Sequence, residues 1–532
     1  MEKGKKVIIY DTTLRDGNQA QGINFSIQDK IKIAKKLDEF GIDYIEGGWP
    51  NPTNPTDIEF FKRIKNENLK HSKIAAFGST RKPKIKAEDD IILKYLIEAD
   101  TPVVTIFGKS WDLHVEKVIK TTLEENLEMI YDSVKFLKSK GKEVIYDAEH
   151  FFDGYKANPE YALKTLKAAY DAGADTIVLA DTNGGTMLFE FRKILKDVKN
   201  LIPKDKLGVH VHNDSGLAIA NSLLAVEEGV YHIQGVINGF GERCGNANLI
   251  PIIANLQIKY KMNVVPEKNL KKLRELSLFV YSVANINPNP RDPYTGDNAF
   301  AHKGGAHIDG VLKVSHSFEH INPSIVGNER KYLVSNQSGS ATILEKLKKI
   351  EPSLTKKDPV IKQILNKVKQ LENEGYRFEE AEASFKLIAL KELGKYEDYF
   401  NIISYRVIEE YLNTNKDNIS EAIVKILEDK STNKIEITAA EGDGPINALD
   451  IAMRKGLTKI YPSLKDVRLI DFKVRVLNSQ EGTAAKVQVL IESTDGKDFW
   501  STIGVSTNLI EASWLALKDS LMYKLVKDRL GF

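Results

Sequence analysis

The sequence predicts an α/β protein built on an N-terminal (β/α)8 TIM barrel, and three observations in its first half carry that prediction. Eight short runs rich in β-branched residues alternate with longer amphipathic stretches. The alternation fills about 250 residues, the usual span of eight strand-helix units. Polar and charged residues gather at the C-terminal ends of run after run, which is where a barrel opens its mouth.

In order, the strand runs are VIIYDTT (7–13), IDYIEGG (42–48), KIAAFGS (73–79), VVTIFGK (103–109), EVIYDAE (143–149), TIVLADT (176–182), LGVHVHN (207–213) and HIQGVIN (232–238). Between the first two, SIQDKIKIAKKLDEFG reads as a helix with Ser26 as N-cap and Gly41 as stop. Strand alternating with helix calls for parallel pairing through right-handed crossovers. An open doubly wound sheet would want a glycine fingerprint after its first strand; RDGNQ stands there instead.

Composition limits the partners. Lys plus Arg (76) nearly cancels Asp plus Glu (74) in 532 residues, so nothing points to nucleic acid or a membrane surface. No apolar stretch reaches membrane-spanning length, MEKGKK runs into a strand without a signal peptide's apolar region, and the single Cys244 fits a reducing compartment. The expectation is a cytoplasmic protein, with Cys244 packed near a loop.

The strand ends supply Arg15 and Asp16, Asp147 and Glu149, Asp181 and Thr182, His210 and His212, and the loop GFGERCGNAN (239–248). His210 and His212 in HVHND are two apart on one strand, so both face the same way. Alone, such a pair can include an ordinary core histidine, and Arg15 beside Asp16 can be a solvated pair on a turn. Barrel closure changes the balance, because it returns strand one to the neighbourhood of strand seven. Asp16 then meets both imidazoles, and Asn246 joins from the loop after strand eight. Two imidazoles, a carboxylate and an amide oxygen suit an open-sided octahedral divalent ion. An α-keto acid could chelate such an ion and have its carbonyl polarised. Arg15 would meet the developing alkoxide, and Thr182 the carboxylate. Gln19 holds substrate or braces Arg15, and Asp11 is structural.

DTTLRDGNQ, HVHND and GFGERCGNAN together resemble the barrel motifs of the α-isopropylmalate, homocitrate and citramalate synthase family, whose more distant relative is hydroxymethylglutaryl-CoA lyase. The resemblance implies Asp16, His210, His212 and Asn246 as ligands of a metal of the Mg, Mn, Zn or Co class, and Arg15, Glu149 and Thr182 as catalytic or keto-acid residues. It implies condensation of acetyl-CoA with an α-keto acid, followed by thioester hydrolysis. AFAHKGGAHIDGVLK (299–313) reads as a tight loop; in the family its second histidine, here His307, serves as base from a subdomain over the mouth, often the partner subunit's. His302 is the weaker candidate for that role, and Phe318 stands where the family commonly has tyrosine. HKGG, GNERKYLVSNQSG (327–339) and RFEEAEASF (377–385) resemble the citramalate branch, which implies pyruvate as acceptor and a place in isoleucine synthesis. Isopropylmalate synthases, which accept 2-oxoisovalerate, tend to carry HESG. A lyase would lack the extra 270 or so residues that follow the barrel, and a non-catalytic relative would be expected to lose ligands or base.

The expected domains are the barrel (1–270), a small subdomain with the catalytic histidine (271–340), a helical connector rich in Lys and Glu (341–432) and a C-terminal α/β module (433–532). In that module NKIEITAA, RLIDFKVRVL, AAKVQVLIES and FWSTIGVS read as strands. A faint repeat sets Gly444, Asn447 and Ala452 at the opening of one helix and Gly504, Asn508 and Ala512 at another, where helix N-termini can hold a carboxylate. The segment resembles the family's regulatory dimerisation domain, which implies a homodimer and isoleucine as effector.

Overall fold

A computed structural model describes residues 4–348, 350–410, 419–429, 434–477 and 479–531. The first residues of MEKGKK and the boundary expected at 432/433 lie outside them. The chain forms two compact units, Met1–Phe300 with Pro323–Glu329, and Ala301–Asn322 with Arg330–Phe532. The span expected as one subdomain, 271–340, is therefore divided between them.

The first unit is a closed barrel of eight parallel strands in sequential order: β1 (Ile8–Asp11), β2 (Tyr44–Gly48), β3 (Lys73–Ser79), β4 (Val103–Lys109), β5 (Glu143–Glu149), β6 (Thr176–Asp181), β7 (Leu207–Val211) and β8 (His232–Gly235). Closure is made by β8 on β1, with Ile8 opposite His232 and Asp11 opposite Gly235. The first crossover helix, Ile27–Phe40, starts in a Ser26–Asp29 capping box and stops at left-handed Gly41, as the sequence signals require. Tyr10, Ala75, Val103, Ile145 and Val178 pack inside the barrel. Tyr10, Tyr44 and His232 meet there, their ring centroids 5.5–6.0 Å apart.

One buried ion pair shapes the loop after β2. Lys30, from the first helix, pairs with Asp57 and donates to the Gly47 carbonyl at 3.1 Å. Asp57 in turn accepts from the Trp49 N–H at 2.8 Å and the Asn54 amide at 2.7 Å. Burial pushes the Lys30 pKa down, against the pull of Asp57.

The second unit opens with β9 (Ala301–His302), paired to β10 (Lys331–Tyr332). Residues Gly305–Lys313, expected as a tight loop, form an α-helix. Each glycine costs a helix only about 1 kcal/mol, and the burial of Ile308 and Val311 on one face offsets it. Three helices follow, Ser340–Leu347, Pro359–Glu374 and Glu382–Glu392. The expected helical connector ends there, because Asn401–Glu410 (β11) and Ile419–Asp429 (β12) are strands. They pair antiparallel with β13 (Lys434–Gly442). A second antiparallel sheet joins β14 (Arg468–Val476), β15 (Val487–Thr494) and β16 (Phe499–Ser506). Helices Pro445–Ile460 and Leu509–Leu530 follow β13 and β16. Leu449, Met453, Leu457, Leu517 and Leu521 from these helices share one core with Val424, Ile426, Val489 and Ile491.

The repeat is real but its register differs from the expected one. Gly444 and Asn508 are the two N-caps, and the Thr438 and Thr502 hydroxyls donate to the Ala452 and Ala516 carbonyls; each pair is 64 positions apart. Gly504 therefore belongs to strand β16 and does not open the following helix. Among the described residues no helix is long and apolar enough to cross a membrane.

Removing Lys30 leaves the buried Asp57 carboxylate without its counterion. Lys30→Met is expected to lower the stability of the barrel unit by about 3–5 kcal/mol, read as a shifted denaturant midpoint in the first unit's tryptophans. An unchanged midpoint would show that Asp57 is solvated or otherwise compensated.

Candidate active site at the barrel mouth

The turn after β1 is wound tightly on one acceptor. The Thr12 carbonyl receives the N–H groups of Arg15, Asp16 and Gly17 at 3.2, 2.9 and 3.1 Å. Asp11 anchors the base of the turn by accepting from the Thr13 N–H and hydroxyl, while Thr13 Oγ1 accepts from the Ile237 N–H on the neighbouring segment. This is the structural part expected of Asp11, and burial pushes its pKa up to about 7.

Asp16, His210 and His212 come together, with exposures of 2%, 6% and 6%. Asp16 Oδ2 lies 3.2 Å from His210 Nε2 and 3.8 Å from His212 Nε2, and the two Nε2 atoms are 3.4 Å apart. Burial opposes the Asp16 charge, but Arg15 and His210 hold its pKa below the carboxylate range. Burial likewise works against charge on His210, whose hydrogen bond to Asp16 raises its pKa above the usual value. His212, lacking so close an anion, is pushed down to about 4 by burial and the His210 charge.

Asn246 is held beside His212 by a backbone bridge between the two residues. Its amide nitrogen donates to the Phe240 carbonyl at 3.2 Å, and its buried Oδ1 has no partner. The loop that presents it turns at Gly245, whose φ is +83° and where a Cβ would sit 1.9 Å from the Gly239 oxygen. The same turn lifts Glu242, Arg243 and Cys244 into solvent, so Cys244 is exposed and not packed as expected. Arg243 bridges outward to Asp214 at 2.8 Å and to the Thr182 carbonyl at 2.7 Å.

Arg15 has its own counterion. Its Nε donates to Glu46 Oε1 at 2.5 Å, against 3.6 Å to Asp16, and its guanidinium lies 3.7 Å above the Phe77 ring. Glu46 is fully buried, and its second oxygen accepts from the Tyr10 hydroxyl at 2.6 Å. Burial disfavours the Arg15 charge, but Glu46 and Asp16 together hold its pKa above the ordinary arginine value.

Arg15, Asp16, His210 and His212 line a cavity of about 230 Å³ together with Gln19, Glu149 and Thr182. Trp49, Phe77 and Phe107 form one wall, with Trp49 edge-on to the other two rings at 5.8 and 5.5 Å. Glu149 is paired with Lys109 across the β4–β5 edge. Thr182 Oγ1 accepts from the His150 N–H at 2.8 Å, which leaves its own proton free to donate. Sequence reasoning did not single out Glu46, Trp49, Phe77, Phe107 or Gln234. A period-2 reading of the strands, in which alternate residues face the barrel axis, would have found Glu46 and Gln234.

His307 belongs to the second unit. It is exposed in the first turn of its helix and stacks on Phe318 with ring centroids 4.4 Å apart. His302 is buried and bonded to Glu319, which Arg330 also holds. In the C-terminal module, Asn447 Oδ1 accepts from the Asp443 N–H, and Asn508 caps Ile510 and Glu511. A Cβ at Gly504 would lie 2.0 Å from the Ala512 carbonyl oxygen.

The ligand atoms of Asp16, His210 and His212 all lie within 4.8 Å of one another, the one cluster of its kind among the described residues. A carboxylate, two Nε2 atoms and the orphaned Asn246 oxygen fit a divalent cation.

Comparison with known proteins identifies relatives along the whole chain. The HMGL-like family model matches residues 6–280, a homocitrate synthase post-HMGL domain-like model 294–376 and the LeuA allosteric (dimerisation) domain 379–525. The chain is 54% identical to an (R)-citramalate synthase of Aquifex aeolicus, over 98% of each chain, and equally to one of Geobacter sulfurreducens over 98% of each. It is 31% identical to a 2-isopropylmalate synthase of Pyrococcus furiosus, over 97% of this chain and 99% of that one. The LeuA match begins before β11, which agrees with the strands found where a helical connector was expected.

Cation uptake requires both Nε2 atoms unprotonated, and His210 is the one that holds its proton to higher pH. Calorimetry near pH 7 in buffers of different ionisation enthalpy should therefore show proton release on metal binding. Affinity should fall about tenfold per pH unit once the pH drops below the raised His210 pKa. Binding independent of pH from 8 to 6 would contradict the assignment.

Proposed function

The chain belongs to the HMGL-like family, and on that footing we propose that it condenses acetyl-CoA with pyruvate and water to give (R)-citramalate and CoA. The observation that carries the proposal is the Asp16–His210–His212 cluster beside Arg15 in a small aromatic-walled cavity. End-to-end similarity to (R)-citramalate synthases supports the choice of acceptor.

Asp16, His210, His212 and Asn246 would hold a divalent ion, which when bound supplies Lewis-acid polarisation to a chelated keto acid. Arg15 places a fixed positive charge next to Asp16, where the keto oxygen gains charge as the new C–C bond forms. Glu46 and the Phe77 ring keep that guanidinium from reorganising during the step. The Thr182 hydroxyl donates to the acceptor's carboxylate, and Gln19 lines the same cavity. The aromatic wall suits a methyl group and crowds a branched one. His307, of this chain or of a second copy, takes the proton from the acetyl methyl group; Glu149, held by Lys109, assists. Water then cleaves the thioester and releases CoA.

To the C-terminal module we assign pairing of two chains and response to an amino acid, with isoleucine as the effector; the LeuA match at 379–525 supports this. Asn447 and Asn508 spend their side-chain oxygens on the backbone, which leaves their NH2 groups as the donors they would offer to an effector carboxylate.

Thiol release from acetyl-CoA should be at least about tenfold faster, as kcat/KM, with pyruvate than with 2-oxoisovalerate or 2-oxoglutarate, and isoleucine should lower it. Phe107→Ala should narrow the preference by admitting a larger acceptor. Equal rates with 2-oxoisovalerate in the wild type would favour an isopropylmalate synthase. His307→Ala should keep keto-acid binding but lose deuterium exchange into the acetyl methyl group; unchanged exchange would move the base elsewhere.

A further inference from the structure

We propose that Gln234 and Asp147 are positioning residues that fix the tautomer of His210 and so set its readiness to bind a divalent cation. The inference rests on the cation-site reading of Asp16, His210 and His212. Gln234 is fully buried on β8, with its Oε1 2.9 Å from His210 Nδ1 and its Nε2 3.2 Å from Asp147 Oδ1 on β5. The three residues thus form a chain across the barrel interior, from β5 through β8 to β7.

The direction of this chain follows from donor and acceptor inventories. Burial and the Glu46 charge push the Asp147 pKa up to about 7; above that pH Asp147 is a carboxylate, which only accepts, and so it draws the Gln234 NH2 group toward itself. The amide oxygen is thereby turned to His210, and since an oxygen accepts, Nδ1 must carry the proton. Flipping the amide would set its oxygen against the Asp147 carboxylate and its NH2 against Nδ1. The Nε2 lone pair is then the one left to face Asp16 and a cation.

Asp16 alone would favour the opposite tautomer, because its Oδ2 sits 3.2 Å from His210 Nε2 and can accept a proton held there. Gln234 opposes that preference, so the proton expelled by an arriving cation is the one on Nε2. His212 has no such partner: its Nδ1 is buried without a hydrogen bond. The cation-binding tautomer is therefore enforced at one histidine of the pair.

The test measures Zn2+ affinity by calorimetry, and the His210 tautomer by imidazole 15N shifts of the metal-free protein at a pH where the ring is neutral. Gln234→Leu should weaken Zn2+ binding about 10–100-fold and shift metal-free His210 toward the Nε2–H form. The exchanged pair Gln234→Glu with Asp147→Asn keeps size and charge, and lets Asn donate to Glu while Glu accepts from Nδ1–H. It should restore affinity to within a few-fold of wild type, which a purely packing role for Gln234 would not require. Wild-type affinity and an unchanged tautomer in Gln234→Leu would overturn the relay, as would failure of the exchanged pair to bind Zn2+ when its circular dichroism is native. If the wild type itself binds no Zn2+, the cation-site reading fails and the relay with it. If it binds Zn2+ but turns over no keto acid, only the proposed reaction fails.

Discussion

The pairing of β8 with β1 is the constraint on which the barrel mouth depends. Four residues of each strand are in register, from Ile8 opposite His232 to Asp11 opposite Gly235. The ladder continues past the strand ends, where Thr12 N–H donates to the Gly235 carbonyl and Ile237 N–H to Thr13 Oγ1. This closure carries the turn at 12–17 to the end of β7, so that Asp16 meets two histidines nearly two hundred positions away. The entropic cost of so long a loop grows only with the logarithm of its length, and the six strands between β1 and β8 are stabilised by their own pairing. Once the barrel is closed, the site needs no further folding step to bring its ligands together.

Closure gathers charges that must then be kept apart in function, and the buried carboxylates do this by division. Glu46 takes Arg15 at 2.5 Å and leaves Asp16, 3.6 Å from the same guanidinium, facing the imidazoles. If Asp16 were the only acid present, the Arg15 guanidinium would pair with it directly and compete with a cation for its charge. Asp147 meets no arginine closely and instead orients Gln234. Three buried acids within one barrel thus answer to a guanidinium, to a cation site and to an amide. Adjacent residues Arg15 and Asp16 thus face different partners, Glu46 on the neighbouring β2 and the two histidines at the end of β7.

The barrel was legible in the sequence because its signals are local and redundant: a β-branched run with a polar end, repeated eight times, and for the first helix an N-cap at Ser26 and a glycine stop at Gly41. The meeting of Asp16 with His210 and His212 was legible because HVHND is compact and closure supplies the rest. The buried partners were not. Glu46 and Gln234 sit inside strands, where a polar residue among apolar ones is read as a lapse in pattern unless the inward face is followed across all eight strands. In the second unit, charge hid alternation: NIISYRVIEE and ISEAIVKILED read as solvated helix by their Lys and Glu, yet pair as β11 and β12. The glycines of HKGGAH suggested a loop, whereas the burial of Ile308 and Val311 made a helix. The repeat was set a few residues out of register because matching glycines and asparagines do not reveal which of them cap helices and which pack in strands.

The central claim is that closure builds a cation site from Asp16, His210 and His212. Electron spin-echo spectroscopy of the Mn2+-loaded protein, prepared with and without 15N-labelled histidine, tests it directly. The account predicts couplings from two imidazole nitrogens that change with the label, one of them lost in His210→Ala and the other in His212→Ala. Bound Mn2+ with no histidine coupling, or with couplings that survive both substitutions, would contradict it.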